Sequence, residues 1–300
     1  EDRARRAAET YDIPFWTTDL DEVLERDDVD VIDLAVRPSD RLELVERIAP
    51  SGKHILSQKA LAPTFAEAQR IVELCENAGI TLMVNQQARW APYHKAMKVL
   101  IDRDVLGHLF SVVHVHRQNQ DEADSPDRDV PDVTMIDNGI HYVDLSRYFS
   151  GRTPRRVMAS AAMKPGQHSV SPMVYTLLGV YEPNDLTSAL HFNNIATGMH
   201  HSPYLWYFDG TEASASIARY GPLRDGRTEL AVAFKNHGVV AVPTDSVHRM
   251  GQDLLGQLGG RNHPLKSGGV VDERHLVSHE TLEHHSGLPV VLIGPDAFSR

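Results

Sequence analysis

The chain has 300 residues, 41% hydrophobic and 24% charged, which is the composition of a soluble globular protein with one large domain or two ordinary ones. Its 30 basic and 41 acidic side chains give a net charge of -11, and no Lys/Arg cluster follows the pattern of a nucleic-acid-binding surface. Nucleic acid and anionic membranes are therefore excluded as expected partners. No run of about 18 apolar residues predicts a transmembrane helix.

The first part of the chain alternates strand patterns with amphipathic helices, which is typical of βαβ units around a parallel sheet. Predicted strands cover 29–36, 53–59 and 80–85, and predicted helices cover 1–14, 38–52, 62–79 and 92–107. In the second helix Ser39 is the expected N-cap, and Gly52 follows the last turn. In the third helix Thr64 and Glu67 form an expected capping box, and Gly79 ends the helix.

After about residue 108 the pattern changes to short strands joined by Gly, Pro, Asn and Asp turns. Strand patterns cover 109–118, 155–163, 173–181, 186–194, 203–210, 211–217, 229–234 and 238–243. Only 132–149 and roughly 272–286 are predicted to be helical in this half. It therefore predicts a large, mostly antiparallel sheet, with residues 118–132 as an acidic surface loop.

Three polar residues interrupt the apolar run "MIDNGIHYVDLSRYF" at 135–149. Asp137, His141 and Asp144 stand at i, i+4 and i+7, which places them on one face of an α-helix. If that face lines a cleft, a carboxylate beside an imidazole is suited to proton transfer. The alternative is a helix-terminal aspartate followed by a structural histidine, and Asp144 fits a structural hydrogen-bonding role equally well.

Parallel sheets bind ligands beyond the carboxyl ends of their strands, here at 35–40, 57–63 and 85–92. Lys59 stands at the second of these ends. Its ammonium group could hold a substrate oxygen as negative charge develops on it. An ordinary surface lysine is the alternative, and position alone does not separate the two.

Four motifs in order carry a resemblance: "SQKALAP" at 57–63, "LMVNQQARWAP" at 82–92, "LIDRDVLGHL" at 100–109 and "DNGIHYVDL" at 137–145. Together they resemble the glucose–fructose oxidoreductase/inositol dehydrogenase (Gfo/Idh/MocA) family. The resemblance implies a partial Rossmann dinucleotide-binding domain at 1–90, with a parallel sheet. It implies a substrate-binding and oligomerisation domain at 91–300, an α/β domain with a large, mostly antiparallel open sheet.

The resemblance also implies the site and its ligands. Lys59, Asp137 and His141 correspond to catalytic positions. The implied cofactor-binding residues are Ala35, Val36, Pro38, Gln58, Lys59 and Asn85, and the implied substrate-binding residues are Arg89, Trp90, Asn138 and Asp144. The implied cofactor is NAD or NADP, and the implied substrate is a sugar, inositol or related polyol. A homodimer or homotetramer formed through the open sheet is expected.

The sequence departs from the family pattern at several positions. Gln58 replaces the usual Glu, Ala60 replaces the usual Pro, and Arg37 and Arg41 replace the more frequent Thr and His. The glycine-rich turn and the acidic residue expected about 20 positions beyond it are not found. We therefore expect a chain that begins partway through the fold or a lineage that has lost this part. These departures favour the alternative of a catalytically inactive member that senses a ligand or acts as a scaffold.

Two further segments have competing interpretations. "DERHLVSHETLEHHSG" at 272–287 places His275, His279 and Glu283 on one helical face, which could chelate zinc, although a solvated His-rich helix is favoured and no metal is predicted. The aromatic segment 197–208 could line a sugar pocket or form a core edge. The single cysteine, Cys75, is expected to be a small buried side chain, and its isolation favours a reducing compartment such as the cytoplasm.

Overall fold

The computed structural model describes residues 2–197, 204–220, 227–235, 238–242 and 291–292. The helices are α1 (Asp2–Thr10), α2 (Leu20–Leu24), α3 (Arg41–Ile48), α4 (Phe65–Ala78), α5 (Pro92–Asp102) and α6 (Ile140–Ser150). The strands are β1 (Val31–Leu34), β2 (His54–Gln58), β3 (Leu82–Asn85), β4 (Leu109–Arg117), β5 (Arg156–Ala162), β6 (Val174–Val180), β7 (Thr187–Asn193), β8 (Tyr204–Gly210), β9 (Ala213–Tyr220), β10 (Arg227–Phe234), β11 (Gly238–Val242) and β12 (Val291–Leu292). No helix among these residues is long and apolar enough to cross a membrane.

The described residues form two compact units that divide after Gln86. In the first unit, a parallel sheet has the strand order β12-β1-β2-β3. Its core consists of strand and helix residues such as Ile32, Ile55 and Ile71, all nearly inaccessible to solvent. The predicted parallel sheet is thus confirmed. The predicted assignment of 91–300 to one domain stays a prediction, although Val291–Leu292 pair with β1 of this sheet.

The ends of the helices in the first unit confirm one predicted cap and correct another. Thr64 accepts a hydrogen bond from the Glu67 amide, the Glu67 carboxylate accepts one from the Thr64 amide, and Gly79 has a φ of 68°. The prediction of Ser39 as an N-cap is wrong. Pro38 starts a 3-10 turn that already contains Ser39, so α3 begins only at Arg41.

The second unit is built on a sheet of eight strands in the order β11-β10-β9-β8-β4-β7-β6-β5. Only β4 and β7 pair in parallel, so the predicted mostly antiparallel sheet is confirmed. One face packs on α5 and α6 through large buried rings, among them Phe149, Phe192 and Trp206. The predicted helix at 272–286 lies outside the described residues.

Candidate active site

The carboxyl ends of the parallel strands carry the predicted cofactor-binding residues. Gln58 and Asn85 end β2 and β3, pair in register, and are joined by a 3.4 Å hydrogen bond from Asn85 Nδ2 to Gln58 Oε1. Ala35 is exposed beyond β1, and Pro38 begins the 3-10 turn. Gln86 Oε1 is buried without a hydrogen-bond partner among the described residues. This edge therefore offers amide donors and acceptors suited to a carboxamide or a ribose hydroxyl.

Arg41, noted in the sequence only as a departure from the family pattern, organises this edge. Its side chain is buried, its Nη2 donates to the Val36 carbonyl over 2.7 Å, and its Nη1 donates to the Ala60 carbonyl. Burial lowers the pKa of Arg41 to about 10. One guanidinium thus connects the segment after β1 to the segment after β2. Lys59 is half-buried in that second segment, and its peptide bond to Ala60 is cis.

In the second unit, the segment that carries Asp137 and His141 is not one regular α-helix. Thr134–Gly139 form a π-helical turn that runs directly into α6. A Cβ on Gly139 would lie 2.5 Å from Met135 Sδ and 3.1 Å from Phe192 of β7, so the turn approaches the sheet closely. The predicted α-helix over 132–149 is therefore wrong in its first turn. Asp137 is exposed in that turn, and His141 is half-buried at the start of α6.

Asp144 binds Arg89 through two parallel hydrogen bonds, Nε to Oδ2 over 2.7 Å and Nη2 to Oδ1 over 2.5 Å. The bond to Asp144 raises the pKa of the Arg89 guanidinium. The predicted substrate-binding roles of Arg89 and Asp144 stay predictions, because in this structure the two side chains are hydrogen-bonded to each other. Trp90 is exposed, with Lys95 Nζ 5.5 Å from its ring centroid.

Asn138 belongs to a closed ring of four side-chain amides. Gln118 donates to Asn138 over 3.4 Å and to Asn194 over 3.3 Å, and both of these donate to Gln120 over 3.1 and 3.2 Å. Gln118 and Gln120 follow β4, and Asn194 follows β7. The ring thereby attaches the π-helical turn to the edge of the sheet.

A cavity of about 250 Å³ opens beside this turn. It is lined by residues from 120–138 and from the segment before β6: Gln120, Asp121, Glu122, Ser125, Asp127, Arg128, Val133, Thr134, Asp137, Asn138, Ser169 and Met173. Arg128 also contacts Asp129 over 3.2 Å, and Asp121 accepts hydrogen bonds from the backbone amides of His168 and Ser169. The predicted acidic loop thus forms one wall of a cavity that contains Asp137.

Three buried histidines that sequence reasoning missed lie in the core of the second unit. His94 comes from α5, and His114 and His116 come from β4. The ring centroid of His114 lies 4.2 Å from that of Trp206 and 4.3 Å from that of Tyr142. Desolvation lowers the pKa of all three histidines, to about 4 for His94 and His116. The alternation in "HVH" was the available signal, because a period of two places both β4 histidines on the inner face.

Metal binding has no support among the described residues, where no group of three or more His, Cys, Asp or Glu could hold an ion. The His-rich segment 272–287 lies outside the described residues, as does part of the aromatic segment 197–208. Lys59 belongs to the first unit, and Asp137 and His141 belong to the second. The catalytic roles that the resemblance implies would require these three residues to share one cleft, and this stays a prediction.

Comparison with known proteins agrees with the motifs. A model described as "Oxidoreductase family, NAD-binding Rossmann fold" matches residues 1–86, and one described as "GFO/IDH/MocA C-terminal domain" matches residues 94–216. The chain belongs to the GFO/IDH/MocA oxidoreductase family. The resemblance inferred from the sequence is thus confirmed.

Two relatives and one solved structure illustrate the match. D-apiose dehydrogenase from Paraburkholderia graminis is 28% identical over 183 residues, 60% of this chain and 48% of that protein. D-xylose dehydrogenase from Paenarthrobacter nicotinovorans is 30% identical over 112 residues, 37% of this chain and 29% of that protein. Levoglucosan dehydrogenase in complex with NADH and L-sorbose superposes with a TM-score of 0.68 at 22% identity, over 82% of this chain and 69% of that one. The chain therefore spans less than half the length of these two relatives, and the solved structure shows a shared fold.

Proposed function

We propose that the protein is an NAD(P)-dependent oxidoreductase that transfers a hydride between nicotinamide and a secondary hydroxyl of a sugar, inositol or related polyol. Family membership carries the proposal. The similarity to D-apiose and D-xylose dehydrogenases supports a sugar substrate. The NADH in the levoglucosan dehydrogenase structure supports the cofactor class.

The edge of the parallel sheet would hold the nicotinamide side of the cofactor. When bound, nicotinamide supplies the hydride acceptor or donor. Gln58, Asn85 and the main chain at 35–36 would bind it beside Pro38, and the buried Gln86 Oε1 is a further acceptor at this edge. These amide groups suit the carboxamide and ribose of the nicotinamide side. Pyrophosphate binding is typical of a GxGxxG turn, a motif that residues 1–300 do not contain.

The proposed proton transfer uses His141, Asp137 and Lys59. The substrate hydroxyl gives its proton to a nitrogen of the neutral His141 imidazole. Asp137, four residues earlier and in the lining of the acidic cavity, would orient that imidazole and stabilise the imidazolium. The Lys59 ammonium would stabilise the negative charge that develops on the substrate oxygen.

Two measurements test the proposal in sequence. NADH and NADPH are titrated by nicotinamide fluorescence, and initial rates of nicotinamide reduction are then followed with D-xylose, D-glucose and myo-inositol. We expect residues 1–300 to bind either cofactor only weakly, because they lack the glycine turn that holds the pyrophosphate, and at least one polyol to be oxidised at high cofactor concentration. Cofactor binding without turnover of any neutral polyol would contradict the proposed activity.

The second candidate is a catalytically inactive family member that senses a ligand or acts as a scaffold. Gln58 and Ala60, where the family usually has Glu and Pro, favour it. Calorimetry separates the candidates, since the sensor binds a polyol without reducing nicotinamide. Saturable polyol binding without turnover would support this alternative.

The acidic cavity predicts which polyols are preferred. Four carboxylates and one guanidinium line it, so an anionic sugar is repelled relative to a neutral one. At an effective dielectric constant near 20 and low salt, the repulsion between one cavity carboxylate and the carboxylate of the sugar is enough for a preference of roughly tenfold or more in kcat/KM. We expect D-glucose to be preferred over D-glucuronate and the preference to shrink at high salt.

A matched pair of variants checks this charge selectivity. Glu122 lines the cavity, so Glu122→Gln should reduce the preference for the neutral sugar. Asp124 is exposed in the same loop without lining the cavity, so Asp124→Asn should leave it unchanged. Equal rates for both sugars in the unmodified protein would refute the prediction.

The open face of the eight-stranded sheet supports a proposed homo-oligomer, a dimer or tetramer. Met158 and Leu178 pair across β5 and β6, and both side chains are exposed on this face. Such an apolar patch is typical of an interaction surface. We predict that Met158→Glu, which places a charge in the contact, lowers the mass measured by light scattering. A monomeric parent protein at tens of micromolar would contradict this assembly.

The proposed cytoplasmic location rests on a separate observation, the single cysteine of the sequence.

A further inference from the structure

His94 uses both ring nitrogens in the buried core of the second unit. Its Nδ1 lies 2.6 Å from the Ala88 carbonyl oxygen, and its Nε2 lies 2.7 Å from the Tyr204 hydroxyl. A carbonyl only accepts, so Nδ1 carries the proton and donates to Ala88. Because burial keeps the imidazole neutral, with its pKa lowered to about 4, Nε2 accepts and the Tyr204 hydroxyl donates to it.

The acceptor of this histidine belongs to the segment that holds α6. Ala88 lies in the 3-10 turn Gln87–Trp90, and the next residue, Arg89, binds Asp144 of α6 through two hydrogen bonds. The Asp144 side chain is 10% exposed, so the pair is largely shielded on that side. Asp144 stands three residues after His141, one helical turn further along α6.

Ring packing supports the same connection. The His94 ring centroid lies 5.7 Å from that of Phe149 in α6 and 6.3 Å from that of Trp206 in β8. A phenylalanine at position 94 could fill the same space, but it would leave the Ala88 carbonyl and the Tyr204 hydroxyl without these hydrogen bonds. A neutral imidazole with its proton on Nδ1 provides the donor that the Ala88 carbonyl requires and the acceptor that the Tyr204 hydroxyl requires.

We propose that His94 and Tyr204 are positioning residues for His141: they fix the 87–90 turn, and through the Arg89–Asp144 pair they fix the orientation of α6. The inference rests on the proposed function, in which His141 is the proton acceptor. His141 and His94 also interact electrostatically, since a charge on His141 lowers the pKa of His94. The coupling acts in both directions, and a neutral His94 therefore places no second positive charge near His141.

Conservative substitutions test each bond separately. Tyr204→Phe removes only the hydroxyl, His94→Asn keeps a donor near the Nδ1 position, and Arg89→Lys keeps the charge but not the two parallel bonds. We expect each to lower kcat by roughly 10- to 100-fold with a smaller change in KM, because a displaced catalytic group loses rate rather than substrate affinity. Tyr207→Phe is the matched control, since Tyr207 lies exposed on the opposite face of β8.

A second readout does not require turnover. The imidazole signal of His141 is assigned in NMR spectra by comparison with His141→Gln and then titrated in each variant. We expect its midpoint to shift in Tyr204→Phe and His94→Asn and to stay in place in Tyr207→Phe. A merely structural role would lower the melting temperature without moving this midpoint or the pH dependence of kcat.

Loss of the oxidoreductase activity and loss of the positioning role give different experimental results. If the unmodified protein oxidises no polyol, the proposed function fails, and the titration of His141 alone decides the positioning role. If the unmodified protein is active and Tyr204→Phe, His94→Asn and Arg89→Lys match it in kcat and in the His141 titration, the positioning role is overturned.

Discussion

Replacing His141 by glutamine is expected to lower kcat for polyol oxidation by roughly 10²–10⁴-fold, the usual contribution of a general base. Glutamine can hydrogen-bond but cannot take the proton from the substrate hydroxyl at neutral pH. His141 is the second residue of α6 and is half-buried. A glutamine side chain of similar length should therefore be accommodated there. KM and the melting temperature are expected to change little.

The pH dependence distinguishes a lost base from a distorted site. In the unmodified protein, oxidation should speed up as the pH rises, because a general base acts only in its unprotonated form. In His141→Gln this increase of the rate with pH should disappear, leaving a rate that is low and nearly independent of pH. The exposed His168 provides the control, because His168→Gln should keep both the rate and its increase with pH. A full rate in His141→Gln, or a rate loss explained entirely by unfolding, would show that the histidine is structural.

The order of strands and helices could be predicted because each depends on signals within a short stretch of chain. The capping box at Thr64 and the left-handed Gly79 define α4 through residues only a few positions apart. In β4, inward and outward residues alternate, as the period of a strand requires. Family motifs then supplied the pairing of these elements into two sheets.

The contacts within the candidate site could not be predicted, because their partners are far apart in the sequence. Arg89 and Asp144 are separated by 55 residues, and Tyr204 and His94 by 110. Many polar residues could serve as a partner for each, and only the packed sheet selects one. The π-helical turn has a similar origin, since the close approach of Gly139 to Phe192 depends on how the turn meets β7.

The buried histidines predict that the protein loses stability in mild acid. His94 and His116 have pKa values lowered from 6.5 to about 4, in both cases mainly by desolvation, and that of His114 lies well below the usual range. Between pH 6.5 and about 4 the unfolded chain binds protons that the folded protein does not, so the free energy of unfolding falls as the pH falls. Each of the first two histidines then costs roughly 3 kcal/mol over this window, an amount comparable with half of a typical domain's stability.

The surroundings of these histidines reinforce the effect. The charge of His141 disfavours protonation of His94, that of His116 disfavours protonation of His114, and that of Arg219 disfavours protonation of His116. Opposing contributions come from the Ala88 carbonyl on His94, the Leu205 carbonyl on His114 and Gln118 on His116, and they are smaller than desolvation.

Urea denaturation followed by tryptophan fluorescence at pH 7.5, 6.0 and 5.0 measures this loss. His116→Gln removes one titrating group, so its free energy of unfolding should be lower at pH 7.5 but should fall less steeply with acid, by about 1.4 kcal/mol less per pH unit below 6. His168→Gln replaces an exposed histidine outside the cluster and should retain the full slope. If the unmodified protein and His116→Gln lose stability in parallel between pH 6.0 and 5.0, the buried histidines are not the source of acid sensitivity and the carboxylates must be.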